Sequence, residues 1–420
     1  MYLRRLVDIE LDELLCSLPA IALDGPKGVG KTETASQRAK NVFNLDEPRT
    51  AAVVKADPDL VTRSSGLTLI DEWQRVPAVW DVVRRAVDQG AKPGSFLLTG
   101  SATPAQSPSH SGAGRIVSLR IRPMALSERG SVTPTISIAE LLDGRADING
   151  HCEMNLVDYT EEIIASGFPA IRSLPKRARR IQLSSYLTRA LERDLSDEQQ
   201  VTIRRPATLH AWIRAYAAAS SSTASWEAIR TGASDGDSTP ASKTTAFRYK
   251  DWLTALWLLD EIPAWYPAFS TTTALGRASK HQLADPALAA SLLQTSTEQL
   301  LDGKGRILNG QTGTLLGALF ESLATLTVRA AAQSAEAKVS HLRTKRGDHE
   351  VDLIVERYDG KLLGIEVKLA AEITAHDVKH LSWFKKTYGD RIADCIVINT
   401  GNYAYRRKDG IAVIPLALLT

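Results

Sequence analysis

Residues 20–32 read AIALDGPKGVGKT, and this stretch decides how the first third of the chain folds. Ala20 to Leu23 are apolar, as in a buried strand. A glycine-rich turn follows, and a helical run begins at Lys31. Gly25, Pro26, Lys27, Gly28, Val29, Gly30, Lys31 and Thr32 match G-x-x-x-x-G-K-[ST] at every fixed position. Glycines at 25, 28 and 30 let backbone N–H groups turn inward on phosphate oxygens. The helix that follows adds the positive end of its dipole. In such a loop Lys31 reaches the β- and γ-phosphates of a nucleotide, and the Thr32 hydroxyl ligates Mg2+. The alternative is a chance match in a glycine-rich turn. The strand before, the helix after and an acidic strand downstream argue against it. The implied ligands are ATP and Mg2+.

That acidic strand is LTLIDEWQRVP, residues 67–77. Four mostly apolar residues lead into Asp71 and Glu72. Asp71 is placed to associate with Mg2+, and Glu72 to polarise an attacking water. A helix cap is the plainer reading of the same pair. A third strand, FLLTGSA, ends in Thr99, Gly100 and Ser101. A polar side chain there, with Ser101 the candidate, can sense the γ-phosphate; a plain strand-to-loop turn is the alternative. Arg115, in GAGRIV, is either a charge-stabilising finger offered to a neighbouring copy in a homo-oligomer, or an exposed surface arginine.

Short apolar runs alternate with helical patterns over residues 1–150, which implies a parallel sheet carrying helices. The chain has 420 residues, too many for one ordinary core. Its 44% hydrophobic and 24% charged residues are those of a soluble globular protein. A net charge of +3 does not by itself argue for nucleic acid. The basic residues are clustered, however: Lys176, Arg177, Arg179 and Arg180 in one run, Arg343, Lys345 and Arg346 in another. Such runs are solvated faces or phosphate contacts. Cys16, Cys152 and Cys395 lie far apart and suggest neither a metal site nor a disulfide framework. The start, MYLRRLVDIELDELL, does not read as a signal peptide, and no segment reads as a bilayer span. These features predict a cytoplasmic protein with no membrane partner.

Residues 151–270 read as a helical region. Helical patterns over 155–215 are interrupted by GFPAIRSLP. A short helix near Trp226–Arg230, a Gly/Ser/Asp turn and a longer helix from about Lys243 to Leu259 fit a winged-helix module or a plain helical hairpin. Residues 271–310 are a connector. From 311 the pattern changes to an apolar helix, strands near 338–343, 349–357 and 361–369, a helix, and two more strands. His341, His349, His376 and His380 surround this last region. They make no obvious metal cluster and read as surface histidines, with His376 and His380 a weak metal pair at most.

The chain resembles the bacterial and archaeal AAA-type ATPases, related to initiator-type ATPases, that carry a C-terminal domain of unknown function with a restriction-endonuclease-like fold. The resemblance runs nearly end to end. It rests on YLRRLVD, GPKGVGKT, IDEWQRVP, LLTGSA, GRIVSLRIRPMALSE, GFPA, ERDL and EVDLIVE…GIEVK. Lys27-Gly28 stands where the family's loop has Arg-Gln. The resemblance implies Lys31 and Thr32 at phosphate and magnesium, and Asp71 and Glu72 as the acidic pair. The expected fold class is therefore α/β: a P-loop NTPase parallel sheet, a helical and winged-helix region, and a small α/β restriction-endonuclease-like domain over 311–420.

In that last domain, HEVDLIVERYDGKLLGIEVKLA (349–370) reads as two strands around an Asp-Gly turn. Period-two alternation sends Glu366 and Lys368 to one side, and pairing through the turn brings Asp352 alongside. Glu321, on the preceding helix, completes a set with the layout of a restriction-endonuclease-like site. Carboxylates so placed can hold a second divalent ion, Mg2+ or Mn2+, and Lys368 can orient or deprotonate water. A solvent-facing cross-strand ion pair is the alternative. Val351, Leu353 and Val355 are expected on one apolar face, which would leave the charges on a concave one. Two functions compete. One is an ATPase whose nucleotide state controls a DNA-contacting, nuclease-like half. The other is a slow nucleotide-dependent switch or scaffold that binds a protein partner.

Overall fold

The computed structural model describes residues 2–100, 112–195, 203, 205–233, 240–267, 278–305, 307–308, 313–344 and 347–420. The N-terminal third is a parallel sheet of β1 (Ala20–Asp24), β2 (Asn41–Asn44), β3 (Thr68–Asp71), β4 (Phe96–Gly100) and β5 (Val117–Arg120), in the order β2-β3-β4-β1-β5. β3 and β4 are buried along their whole length, which is why they read as continuous apolar runs. β4 lies between β1 and β3, with Leu23 and Asp71 both in register with Thr99. The glycine-rich turn and the acidic strand end therefore open at the same edge, where ligands of open α/β sheets bind.

Residues 135–152 leave this sheet and run beside the C-terminal one. Ile136 bridges Leu419, and Cys152 donates its N–H to the Asn402 carbonyl at 2.9 Å. The middle of the chain is helical: Leu156–Ala165, Lys176–Arg189, Pro206–Ala218, Trp226–Gly232 and Lys243–Ala255. GFPAIRSLP, expected to break the helical run, itself contains a short helix, Pro169–Arg172, opened by proline at its first position. Ser225 and Ser242 cap the two helices expected around Trp226 and Lys243. Isolated antiparallel bridges then join Leu259 to Leu283 and Ile262 to Lys280.

The C-terminal third begins with the Leu315–Ser334 helix. A six-stranded sheet follows: β6 (Ala337–Arg343), β7 (Glu350–Arg357), β8 (Leu362–Val367), β9 (Ile392–Asn399), β10 (Tyr405–Arg406) and β11 (Ala412–Pro415), in the order β10-β11-β9-β8-β7-β6. β6, β7 and β8 are antiparallel neighbours, whereas β9 runs parallel to β8 and β11. The Lys379–Tyr388 helix connects β8 to β9.

Two expectations are corrected here. The Leu315–Ser334 helix is long and apolar enough, with mean hydropathy 1.4, to cross a membrane by length and composition; 72% of that window is buried inside the protein. Its hydrophobicity serves a core between the two sheets. Secondly, Val351, Leu353 and Val355 do not share a face. Val351 packs with Ile354 and Phe384, whereas Leu353 and Val355 pack in the large central core. Residues 351 to 354 of β7 span the step that 342 to 340 make on β6. This bulge turns the strand at Asp352 and re-aims its side chain.

Candidate functional site

At the ATP-type site, Gly25, Gly28 and Gly30 all adopt positive φ, at 156°, 77° and 105°. A Cβ on Gly25 would sit 2.2 Å from the Ile121 carbonyl oxygen, so no other residue fits there. Lys31 is buried and donates to the carbonyls of Gly25 and Pro26 at 2.8 and 3.0 Å, folded onto the loop that it would serve. The Thr32 hydroxyl donates to Asp71 Oδ1 at 2.7 Å, and the buried Thr99 hydroxyl donates to the same oxygen. The predicted pair Thr32 and Asp71 is thus in contact, held from below by a residue of the intervening strand. Glu72 sits in the left-handed region at φ 53°, a strained backbone for a non-glycine residue. It accepts a 2.5 Å hydrogen bond from Gln74 Nε2. Ser101 lies outside the described residues.

These residues fit a magnesium nucleotide. Thr32 and Asp71 supply oxygen ligands, and the open side of Gly28 leaves room at the loop tip. Bound there, Mg2+ would draw charge off the phosphate oxygens. Lys31 would exchange its two carbonyl partners for phosphate, and Glu72 directly follows Asp71 at the end of the strand.

Sequence reasoning missed how the loop is braced. Arg5 is buried; it donates to the carbonyls of Val29 at 3.2 Å and Arg122 at 2.8 Å, and pairs with Glu128 at 3.1 Å. Glu128 in turn accepts from the N–H groups of Leu6 and Ala125. YLRRLVD and ALSE are therefore two halves of one clamp on the phosphate loop. Gly167 of GFPA closes a second joint: it accepts from the Met124 N–H at 2.7 Å, and a Cβ on it would collide with Met124 backbone.

A further joint lies where the three regions meet. Asp260 is buried among Arg120 (2.9 Å), Arg122 (2.8 Å) and Arg329 (2.9 Å). Burial would raise its pKa, but the three guanidiniums hold it below the carboxylate range. Arg120 is in register with Asp24, the last residue before the phosphate loop. Arg329 lies on the Leu315–Ser334 helix, as does Gln333, which accepts from Arg122 at 3.1 Å.

At the C-terminal cluster the four predicted residues fall together around a fifth that was not predicted, Lys280. Its Nζ lies 2.7 Å from Glu321 Oε1 and 3.1 Å from Asp352 Oδ1, and the residue is only 1% exposed. Burial would strip its proton; the charges of Glu321 and Asp352 overcome this and hold its pKa well above the lysine range. Burial raises Glu321 to about 7. Asp352, despite burial, is brought down to about 2 by Lys280 and Lys368, and its Oδ2 accepts from the Val367 N–H at 3.0 Å. Lys368 bonds Glu366 at 2.6 Å. Glu366 is buried, and burial with the neighbouring Asp352 charge pushes its carboxyl well above the ordinary range. Among the described residues, no three His, Cys, Asp or Glu side chains are arranged to hold a metal. The charge of a lysine stands where the expected divalent ion would be, so these residues do not fit that ion.

The other candidates resolve plainly. Arg115 is half-exposed and pairs with Asp88 at 2.9 Å. His341 is not a surface residue: it is buried, its Nε2 faces the Ala278 carbonyl at 2.9 Å, and burial lowers it to about 4. His349 stacks on Trp383 with ring centroids 4.0 Å apart. Lys176, Arg177, Arg179 and Arg180 lie on the first turns of the Lys176–Arg189 helix. Lys345 and Arg346 lie outside the described residues. All three cysteines are free.

Comparison with known proteins finds three family matches along the chain. Residues 17–129 match an AAA domain family; residues 156–299 and 316–419 match two families described as domains of unknown function, DUF8612 and DUF4143. An uncharacterized protein of Mycobacterium tuberculosis and one of Mycobacterium bovis are each 28% identical over 422 residues, covering 98% of this chain and 83% of theirs. A Walker-type ATPase of Pyrococcus abyssi aligns with a TM-score of 0.40 at 14% identity, over 69% of this chain and 96% of that one. The AAA domain match coincides with the parallel sheet and its phosphate loop, and the two together support an AAA-type ATPase.

Proposed function

We propose that this chain is a Mg2+-dependent ATPase whose nucleotide state is passed to a nucleic-acid-contacting, nuclease-like C-terminal half. The observation that carries the reading is the contact of Thr32 with Asp71 beside the Gly25–Thr32 loop. Phosphate binding would pull Lys31 off its own loop and reset the strand ends beside it. Asp24 neighbours Arg120, and Arg120 belongs to the buried Asp260 joint with Arg329, so a shift there has a packed route into the last third. The order helix, three antiparallel strands, helix, parallel strand supports the restriction-endonuclease-like reading of that third. The capped Trp226–Gly232 and Lys243–Ala255 helices, followed by the 259–283 and 262–280 bridges, support the winged-helix reading. Lys243, Phe247 and Arg248 are exposed on the second helix and would face phosphates and bases. The free thiols fit a cytoplasmic setting.

The reading is tested by ATP hydrolysis with Mg2+, with and without duplex DNA, by the wild type, Lys31→Ala and Glu72→Gln. Turnover abolished in both variants supports it; a wild type that hydrolyses no ATP sinks it. Salt-titrated DNA binding separates the two partners. A steep loss of affinity with salt supports nucleic acid. An ATPase that binds no DNA fits the second reading, a switch or scaffold for a protein partner, which the near-neutral charge of +3 favours.

A further inference from the structure

We propose that Lys280 is the resident cation of the Glu321–Asp352–Glu366 cluster: wild-type protein holds no divalent metal there, and removing the lysine creates a site for one. The inference deepens the nuclease-like reading and rests on it only for the likeness of layout.

Three observations carry it. The first is position. Nζ of Lys280 lies within 2.7 Å of the helix carboxylate and 3.1 Å of the strand carboxylate, so it bridges the two groups that a hard cation would bridge. The second is anchoring. The backbone of Lys280 is tied to Ile262 by a reciprocal pair of 2.9 Å hydrogen bonds, and its side chain is 2% exposed. An ammonium so fixed does not drift in from solvent; it is built into the fold. The third is an unused acceptor. Glu366 is 3% exposed, and its Oε1 is buried without a hydrogen-bond partner, although Oε2 is held by Lys368. Buried polar atoms are rarely left so. With the lysine gone, the charges of Glu321 and Asp352 go unmet near Glu366, and an entering divalent ion would draw these carboxylates, not now arranged as ligands, towards it; Lys368 remains beside them. Lysine has no acceptor to offer a metal, and its charge repels one at this range. The Glu321–Asp352 pair therefore already has a cation between its carboxylates.

The test is Mn2+ uptake, followed by electron paramagnetic resonance, in full-length nucleotide-free protein. Wild type, Asp352→Asn, Lys280→Ala, and Lys280→Ala combined with Asp352→Asn are compared. The expected result is no Asp352-dependent Mn2+ uptake by wild type. Lys280→Ala gains a site at least about tenfold tighter than anything in wild type, and the double variant loses it. Uptake by wild type that Asp352→Asn abolishes overturns the proposal. So does a folded Lys280→Ala that gains nothing. If Lys280→Ala unfolds in metal-free buffer, refolding on addition of Mn2+ supports the exchange of one cation for another, and no refolding overturns it. Neither ATP nor DNA enters these measurements, so their outcome is independent of the ATPase and DNA-binding readings.

Discussion

Asp71 and Asp352 are both buried or half-buried aspartates on strands, each poised where a divalent ion is expected, and the fold treats them in opposite ways. Asp71 is approached by the hydroxyls of Thr32 and Thr99, which donate hydrogen bonds but bring no charge. Its charge is left for an ion that arrives with the nucleotide. Asp352 is approached by the ammonium of Lys280, with Lys368 near, and its charge is met inside the chain. A hydroxyl partner keeps a carboxylate ready for a metal; a buried lysine replaces the metal. Residue type alone does not separate the two sites. What separates them is which neighbour the fold delivers.

The same substitution at both positions gives the largest contrast. Asp71→Asn should lower ATP turnover by on the order of 10^3-fold, because the metal's charge stabilisation is worth several kcal/mol. Asp352→Asn should leave turnover within about twofold, since it lies in another sheet and touches no part of the phosphate loop. Steady-state hydrolysis at saturating ATP measures both. Equal losses would mean that the two acidic sites are one functional unit, and the contrast fails.

Asp260 sharpens the comparison by inverting it: here one carboxylate serves three arginines. Asp260→Ala leaves three part-buried guanidiniums facing one another. Breaking a buried ion pair from one side costs about 3–5 kcal/mol, so the melting temperature should fall by several degrees. Nucleotide binding should also lose its effect on the protection of the Leu315–Ser334 helix from hydrogen exchange. Undiminished coupling in a folded variant would remove this joint from the route.

Glu162 is a fourth such carboxylate, with arginine on two sides. Burial would raise its pKa, but the hydrogen bonds and charges of Arg172 and Arg129 bring it to about 2. The ordinary value is 4.5. Because the folded value is depressed, its stabilisation of about 3 kcal/mol is complete above pH ~4.5 and is lost as pH falls towards ~2. The gap in melting temperature between wild type and Glu162→Gln should be widest near neutral pH and narrow progressively below pH ~4.5. A gap that stays constant down to pH ~3 would show that the carboxylate is not what the arginines hold.

Much of the first site could be read from the chain because its parts are contiguous. Gly25 to Thr32 is one loop, and Asp71 ends one apolar run, so motif and strand end carry their own context. The clamp of Arg5 and Glu128 could not be read this way, because it joins residues over 100 positions apart by contacts with backbone carbonyls and N–H groups that leave no pattern. Lys280 was equally hidden. It sits in SKHQLADP, 41 residues before Glu321 and 72 before Asp352, on backbone paired only through isolated bridges. The hairpin's strands were legible from alternation, but the bulge at Asp352 was not, because a one-residue slip in pairing changes no residue type. The structure brings Glu321, Asp352, Glu366 and Lys368 near one another, with a lysine among them that the sequence pattern did not indicate.

Arg115 offers the smallest expected effect and the last check on how each site obtains positive charge. The C-terminal cluster takes its cation from its own chain. The ATP site would take a second cation, beyond its metal, from a neighbouring copy if Arg115 were a finger. Such an arginine is worth about 10^3–10^5 in turnover. Arg115 is instead bonded to Asp88 at 2.9 Å and to the Ala113 carbonyl at 3.2 Å, which occupies the guanidinium within its own chain. Arg115→Ala should therefore leave turnover within about twofold of wild type, and turnover per chain should not rise with protein concentration. A loss of ~10^2-fold or more, together with concentration-dependent activity, would show that the Asp88 pair opens in an assembly and that the ATP site also borrows protein charge. The contrast with Asp352 would then reduce to the source of the charge, another chain in one case and the same chain in the other.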